Sequence, residues 1–187
     1  LHDIGHYPFS HALEEIGVLH HEAVAEPMIT GGAVADILRN EIADDAPERI
    51  CALMRGESES PLQGLISGSL DLDKTDYLKR DALMCGVPYG EIDVDRLLHA
   101  LVVVDDPHVG HATIGVLEKA LSALESLLFA KYQMYRNVYW HHAVRSPTAM
   151  YKRMVDDALR AGALEALELV DHTDEGLLHA MRQRSPS

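Results

Sequence analysis

The first eleven residues of the chain, from Leu1 to His11, read LHDIGHYPFSH. The adjacent side chains of His2 and Asp3 can both bind one ion, because an imidazole nitrogen and a carboxylate oxygen reach different coordination positions. Mixed nitrogen and oxygen ligands suit Mn, Fe, Zn or a similar first-row metal better than Ca. A His-Asp pair by itself is more often a plain surface pair, so its role depends on the residues around it.

Histidine is concentrated around this pair. The chain has 12 histidines, and five of them fall within the first 21 residues: His2, His6, His11, His20 and His21. Solubility does not require such crowding, whereas metal binding and proton transfer use clustered imidazoles. The segment therefore predicts a site that binds a metal or moves protons.

Length and composition indicate one globular domain. The chain has 187 residues, of which 47% are hydrophobic and 25% charged, and a domain of this size buries roughly 70% of its unfolded surface. Its net charge of 16 − 30 = −14 argues against a protein that tracks nucleic-acid phosphates, because such proteins need a basic stripe. A small phosphorylated ligand remains compatible, since it needs only a local group of cations or a metal.

The cysteine content and the hydropathy favour a cytoplasmic location. Two cysteines, Cys51 and Cys85, cannot form a disulfide framework, which favours a reducing compartment. The apolar stretches are far shorter than the roughly 20 residues of a membrane span, and the chain opens without the pattern of a secretory signal. We therefore expect a cytoplasmic protein with neither a membrane nor a nucleic acid as its partner.

A second informative stretch reads DLDKTDYLKRD from Asp71 to Asp81. If it is helical, Lys74, Tyr77 and Asp81 lie on one stripe and Asp73 begins a neighbouring one. A carboxylate suited to a metal would then lie beside a lysine suited to a phosphate. The alternative is a solvated helix face held by pairs of opposite charges one turn apart, and the segment alone leaves both interpretations open.

Periodicity predicts a mostly α-helical fold with a small β-hairpin. The hairpin would pair residues 101–104 with 111–116 around Asp105-Asp106-Pro107. Ser10 is expected to cap a short helix that begins at His11. Further helices are expected over residues 21–29, 45–55, 70–85, 117–139 and 148–170, with short ones after Ser60-Pro61 and before residue 98.

Taken together, the two stretches resemble the HD-domain phosphohydrolase superfamily, and within it the deoxynucleoside triphosphate triphosphohydrolases (dGTPase-like proteins). The resemblance runs in order from Leu1 to about Arg145. It is carried by His2-Asp3, Gly5-His6, Pro8-Phe9-Ser10-His11, Asp71-Leu72-Asp73-Lys74, Asp76-Tyr77, Arg80-Asp81 and Gly86-Val87. It implies an HD-domain helical bundle that uses a divalent metal to hydrolyse deoxynucleoside triphosphates to deoxynucleoside and triphosphate.

The resemblance also implies roles for individual residues. His2, Asp3 and Asp73 match three metal ligands, and the metal is Mn, Mg, Fe, Zn or Ni. The family's fourth ligand lies on a helix before the HD pair, so we interpret residues 1–187 as a single HD-type domain without its N-terminal helix or helices. The matched catalytic residues are His11, Glu14, His21 and His6, and the matched substrate contacts are Lys74, Tyr77, Asp81, Lys131, Tyr135 and Tyr139.

The expected partner is a nucleotide substrate, and the resemblance implies a homo-oligomer. Two alternatives stay open: an HD phosphohydrolase that acts on nucleoside monophosphates or another phosphoester, and a non-catalytic module for nucleotide sensing or assembly. Two related groups are disfavoured. Ile4-Gly5-His6-Tyr7 lacks the acid pair of the stringent-response nucleotide hydrolases, and the chain has no Gly-Tyr-Pro motif of the cyclic-dinucleotide phosphodiesterases.

Overall fold

A computed structural model of the chain describes residues 1–68, 70–108 and 110–184. Over these residues the fold is mostly α-helical with one two-stranded antiparallel sheet, which confirms the predicted fold class. They form two compact units. Unit 1 contains residues 1–51 and resumes at residue 145, and unit 2 contains residues 52–144. That the whole of 1–187 is one HD-type domain stays a prediction.

The secondary structure begins with a 3₁₀ helix at His11–Ile16. The strands are β1 (Leu101–Asp106) and β2 (His111–Val116). The α-helices in the described ranges are α1 (His21–Thr30), α2 (Gly32–Glu41), α3 (Ala46–Met54), α4 (Gln63–Ile66), α5 (Leu72–Cys85), α6 (Val94–Leu98), α7 (Leu121–Met134), α8 (His142–Arg160) and α9 (Asp174–Arg184). Further 3₁₀ turns cover Pro88–Gly90, Glu118–Ala120 and Ala166–Asp171, and a π turn covers Tyr135–Tyr139.

The core of unit 1 joins the segment around the 3₁₀ helix to the last two helices. Leu13 of the 3₁₀ helix is fully buried and belongs to the same apolar cluster as Val155 of α8 and Leu177 of α9. Tyr7, from the His-Asp segment itself, is buried in this cluster as well. The segment that carries the candidate site is therefore anchored by apolar burial on helices more than 140 residues further along the chain, since Tyr7 and Val155 differ by 148 positions.

The core of unit 2 is built on α5 and α7. Leu78 and Ala82 of α5 pack in one cluster with Leu127 and Met134 of α7. On each helix the buried residues recur at intervals of three, four or seven positions, which is the spacing of one helical face. The hairpin pairs Leu101 with Val116 and Asp106 with His111, so β1 extends two residues beyond its predicted end at residue 104, whereas β2 has the predicted bounds.

Local sequence signals explain the boundaries of α5. The Asp71 carboxylate caps its start by accepting a hydrogen bond from the backbone N–H of Lys74 at 2.9 Å. Gly86 ends it in the left-handed conformation at φ 65°, which a residue without Cβ adopts at little cost. The predicted helix over 70–85 is confirmed, and Asp93 caps α6 through the N–H of Arg96 at 3.0 Å.

Three predicted details are wrong. Ser10 does not cap the 3₁₀ helix with its side chain, because its backbone adopts φ 55° and ψ −122°. The predicted helix 117–139 is α-helical only to Met134, beyond which the backbone forms the π turn. The predicted helix 148–170 begins earlier, at His142, and ends at Arg160, because Gly162 at φ 67° follows its end.

In the described ranges, no helix has the length and apolar character needed to cross a membrane.

Candidate active site

The first six residues of unit 1 form the His-Asp turn, defined as residues 1–6, which lies directly against α1. Backbone N–H groups of Ile4 and His6 donate to the carbonyls of Leu1 and Asp3 at 3.1 and 3.2 Å. A Cβ on Gly5 would lie 2.1 Å from the carbonyl oxygen of His21 and 2.6 Å from the nitrogen of Ala25. Both are backbone atoms of α1 that cannot move aside, so only glycine allows this approach. The approach places His6 next to His21.

Asp3 contacts an imidazole with each of its carboxylate oxygens. Its Oδ2 lies 3.2 Å from Nε2 of His2, and its Oδ1 lies 3.2 Å from Nε2 of His6. Nε2 of His6 is shielded from solvent, and its 3.2 Å contact with Asp3 does not have the geometry of a hydrogen bond. Burial lowers the pKa of His6, neighbouring His21 lowers it further, and Asp3 opposes them. A neutral imidazole with an unsatisfied nitrogen is suited to metal ligation.

Three imidazole rings pack against one another to form the histidine cluster, defined as His6, His11 and His21. The ring centroid of His6 lies 4.6 Å from that of His11 and 4.3 Å from that of His21. The centroids of His11 and His21 are 4.9 Å apart. The 3₁₀ helix supplies His11, and the first residue of α1 supplies His21. The structure thus brings together the three histidines for which a catalytic role was predicted.

Glu14 links two members of the histidine cluster. Its Oε1 lies 2.6 Å from Nδ1 of His21 and 3.3 Å from Nδ1 of His11, and it also accepts from the backbone N–H of His21 at 3.3 Å. A carboxylate only accepts hydrogen bonds, so Nδ1 carries the proton in the contact with His21. Partial burial raises the pKa of Glu14, but the hydrogen bonds from His21 and His11 outweigh it, and the net shift is downward.

Exposure distinguishes the two imidazoles that contact Glu14. The His21 side chain is 10% exposed, whereas the His11 side chain is 63% exposed. Because Nδ1 of each ring faces Glu14, Nε2 is the nitrogen left for another partner. His11 is therefore the more accessible of the two imidazoles, while Glu14 holds the buried His21 in place.

Unit 1 contains donor groups that can hold a divalent metal. The ligand atoms of His6, His11 and His21 lie within 4.8 Å of one another, and so do those of Glu14, His20 and His21. His20 was not assigned a role from the sequence, although its position beside His21 was a usable signal. Its Nε2 lies 3.6 Å from Oε2 of Glu14.

Two predicted residues of unit 2 lie in the first turn of α5. The Lys74 ammonium pairs with the Asp71 carboxylate and donates to the carbonyl of Gly68 at 2.8 Å. The Asp71 side chain thus neutralises the lysine that was expected to contact a phosphate. Asp73 is exposed in the same turn, and its assignment as a metal ligand stays a prediction.

Four of the predicted substrate contacts meet in unit 2. The Tyr139 hydroxyl donates to Oδ2 of Asp81 at 2.7 Å, and the Tyr77 and Tyr135 rings lie 6.2 and 6.4 Å from the Tyr139 ring. Burial raises the pKa of Tyr139, and the hydrogen bond to Asp81 raises it further. Lys131 is exposed on α7. The π turn after Met134 changes the spacing, so the expected single α-helical face of Lys131, Tyr135 and Tyr139 does not continue unbroken.

The sequence of residues 92–187 matches the family described as the HD associated region, which is 96 of the 187 residues. The chain belongs to the HD-associated region family. An uncharacterised protein of Methanocaldococcus jannaschii is 37% identical over 182 residues, which are 97% of this chain and 38% of that protein. A Dictyostelium discoideum protein named as a homolog of the deoxynucleoside triphosphate triphosphohydrolase SAMHD1 is 30% identical over 159 residues, covering 78% of this chain and 29% of that protein.

Solved structures show the same fold. A hypothetical protein from Aquifex aeolicus superposes with a TM-score of 0.79 at 30% identity, covering 98% of this chain and 52% of that one. A phosphohydrolase from Bacteroides thetaiotaomicron superposes with a TM-score of 0.71 at 24% identity, covering 98% and 50%. The chain spans 29 to 38% of the length of the two curated relatives above. The predicted resemblance is thus confirmed at the level of the HD superfamily.

Proposed function

We propose that this chain carries the catalytic residues of a metal-dependent phosphohydrolase that converts deoxynucleoside triphosphates to deoxynucleoside and triphosphate. The observation that carries the proposal is the Glu14 carboxylate, which holds His21 at 2.6 Å and His11 at 3.3 Å beside the His-Asp turn. An acid that orients an accessible imidazole is an arrangement used for general acid–base catalysis. The name of the Dictyostelium relative supports the choice of substrate.

The donor set of the His-Asp turn fits a first-row divalent metal. His2 and His6 supply imidazole nitrogens, and Asp3 supplies carboxylate oxygens 3.2 Å from each of them. The shielded Nε2 of His6, which makes no hydrogen bond, has the chemistry of a ligand atom. A bound metal would neutralise phosphate charge and activate a water molecule. We propose His2 and Asp3 as ligands, with Asp73 added on the resemblance.

His11 is proposed as the proton donor. Hydrolysis at the α-phosphorus breaks its bond to the 5′ oxygen, so the hydroxyl of water joins the triphosphate and a proton must reach the 5′ oxygen. Nε2 of the exposed His11 side chain delivers that proton, and the ionised Glu14 beside Nδ1 stabilises the imidazolium that precedes delivery. His21, buried against Glu14, fixes the position of that carboxylate.

The nucleoside and phosphates need contacts of their own. Tyr77, Asp81, Tyr135 and Tyr139 supply aromatic faces and hydrogen-bonding groups in unit 2, and we propose that they bind the sugar and base. Lys131 is proposed to contact the phosphates, because a chain with a net charge of −14 needs local cations to hold a polyanion. Lys74 is proposed on the resemblance, with a phosphate replacing the Asp71 carboxylate that pairs with it in this structure. Much of the catalysis of phosphoryl chemistry is positioning by such contacts.

Phosphorus NMR of mixed deoxynucleoside triphosphates with Mn²⁺ tests the proposal. We expect free tripolyphosphate with the unaltered chain and none with His11→Gln or Asp73→Ala. Asp76→Ala is the matched control, because Asp76 is an exposed acid in the same helix that pairs with Arg80 at 3.0 Å. Orthophosphate or pyrophosphate in place of tripolyphosphate would assign the chain to another HD phosphohydrolase. Nucleotide binding without any product would favour the sensing module.

A further inference from the structure

The turn immediately before His11 has an unusual backbone. Phe9 and Ser10 have φ values of 61° and 55°, and they are the non-glycine residues with positive φ in the described ranges. Side chains with a Cβ adopt this region only at a cost in energy, so surrounding contacts must hold them there. The turn is closed by the N–H of Ser10, which donates to the Tyr7 carbonyl at 2.9 Å.

Contacts from α8 and α9 hold this turn within unit 1. The backbone N–H of Phe9 donates to Oδ1 of Asp174, the first residue of α9, at 2.8 Å. The Tyr151 hydroxyl of α8 donates to the Pro8 carbonyl at 3.1 Å, and the Tyr151 ring lies 4.6 Å from the Phe9 ring. Phe9 is therefore held through both its backbone and its side chain.

The 3₁₀ helix that carries His11 is tied to α8 as well. Nζ of Lys152 lies 2.6 Å from Oε2 of Glu15. This ion pair holds the helix beyond His11, while Asp174 and Tyr151 hold the chain before it. The orientation of the His11 ring thus depends on contacts from both sides, and the hydrogen bond to the backbone of the strained Phe9 comes from Asp174.

We propose that Asp174 is a positioning residue for His11. Its carboxylate keeps Phe9 and Ser10 at positive φ, and this backbone path delivers the His11 ring to Glu14 and to the histidine cluster. Without that acceptor, the Phe9 N–H is released and the turn relaxes to negative φ, which moves His11 away from Glu14. The consequence for catalysis rests on the proposed function of His11, whereas the structural consequence does not.

Three variants of the full chain separate this role from a general effect of α9. Asp174→Ala removes the acceptor, and Asp174→Asn keeps an oxygen that can accept from the Phe9 N–H. Glu175→Ala is the matched control, because it removes the same charge from the same turn of α9. The first readout is hydrogen exchange at the Phe9 amide. We expect protection to fall about tenfold or more in Asp174→Ala, in keeping with a hydrogen bond to a charged group, and to be retained in the other two.

The second readout is the NMR spectrum of the His11 ring, together with kcat and KM. We expect the His11 resonances to shift in Asp174→Ala alone, and kcat to fall by about 10- to 100-fold with little change in KM, as for a displaced catalytic group. Asp174→Asn should keep both the His11 resonances and kcat close to those of the unaltered chain. Thermal melting followed by circular dichroism shows whether Asp174→Ala has simply lost its fold. We expect Asp174→Asn and Glu175→Ala to melt like the unaltered chain.

The outcomes distinguish this proposal from the function on which it draws. If Phe9 protection and the His11 resonances are unchanged in Asp174→Ala, or change equally in Glu175→Ala, the positioning role is overturned whatever the activity. If both change but kcat does not, His11 is displaced without consequence, and the positioning role in catalysis is overturned. If the unaltered chain shows no turnover, the proposed function fails, and the two NMR readouts still decide whether Asp174 positions His11.

Discussion

A carboxylate that contacts two imidazoles fixes the protonated nitrogen of each, because it can only accept hydrogen bonds. Glu14 has this position between His11 and His21. An amide in its place can donate as well as accept, so it no longer imposes one tautomer on either ring. Consequences for catalysis follow at the level of this single residue.

We predict that Glu14→Gln lowers kcat by about 10²- to 10⁴-fold, the usual contribution of an oriented acid or base. Phosphorus NMR progress curves measure the rate, and the nitrogen shifts of the His21 ring report the tautomer. Glu22→Gln is the control, because Oε2 of Glu22 lies 3.7 Å from Nδ1 of the exposed neighbour His20. Equal losses in the two variants would contradict the role given to Glu14.

At the scale of elements, the candidate site depends on how closely the His-Asp turn approaches α1. The Gly5→Ala substitution puts a methyl group 2.1 Å from the His21 carbonyl oxygen. We predict that it lowers the free energy of unfolding by at least about 1–3 kcal/mol, the usual cost of overpacking. Urea denaturation measures the loss, and the same variant should show altered His6 resonances because the turn must move.

Gly64→Ala is the control for this substitution. The nearest atom to a Cβ at Gly64 is Cβ of Ile114 at 4.0 Å, which is an ordinary contact, and alanine is the better residue inside a helix by about 0.5–1 kcal/mol. We expect this variant to be as stable as the original chain or more so. A Gly5→Ala protein with unchanged stability and unchanged His6 resonances would show that the turn does not need the close approach.

The elements that were predicted correctly are those with local end signals. Asp71 and Gly86 bound α5 through contacts within a few residues, and the β-branched residues around Asp106 predict the hairpin. Helix α8 was misplaced because it continues through Pro147, which as an isolated residue predicts a helix start. A proline inside a helix lowers stability because it removes a backbone hydrogen bond. Burial of the α8 face that includes Val155 offsets this loss through contacts with residues far away in the sequence.

The residues of the candidate site also fall into two groups, those that local sequence predicted and those that depend on distant contacts. Crowding of histidines within 21 residues made the histidine cluster predictable, and the spacing of His11 and Glu14 suggested their contact. The role of Asp174 could not be found, because 165 positions separate it from Phe9 and it belongs to no motif. The positive φ of Ser10 was also hidden, since serine before a helix normally indicates a cap.

The net charge of the whole chain would govern how the proposed nucleotide substrate approaches. The chain carries −14, so its long-range field repels a triphosphate, while added salt screens that field over a Debye length that falls from about 30 Å at 0.01 M to about 10 Å at 0.1 M. We predict that kcat/KM for deoxynucleoside triphosphates rises severalfold over this range of monovalent salt. Steady-state kinetics at fixed metal concentration measures the effect.

The deoxynucleoside product is a suitable control for the salt experiment, because it is uncharged. Its inhibition constant should not change with salt over the same range. A kcat/KM that falls as salt rises would mean that Lys74, Lys131 and a bound metal dominate the field felt by the substrate, in spite of the overall charge. That result would localise the attraction to the phosphate contacts.

The two units differ in the order in which a ribosome produces them. Unit 2 is one continuous segment, residues 52–144, so all of its residues emerge from the ribosome before the second part of unit 1. Unit 1 is interrupted by it, and Tyr151 and Asp174, the two residues that hold Phe9, are synthesised only after unit 2. The strained turn therefore forms only when translation has passed Asp174, and a nascent chain that stops earlier carries its histidines without the geometry that would let them act.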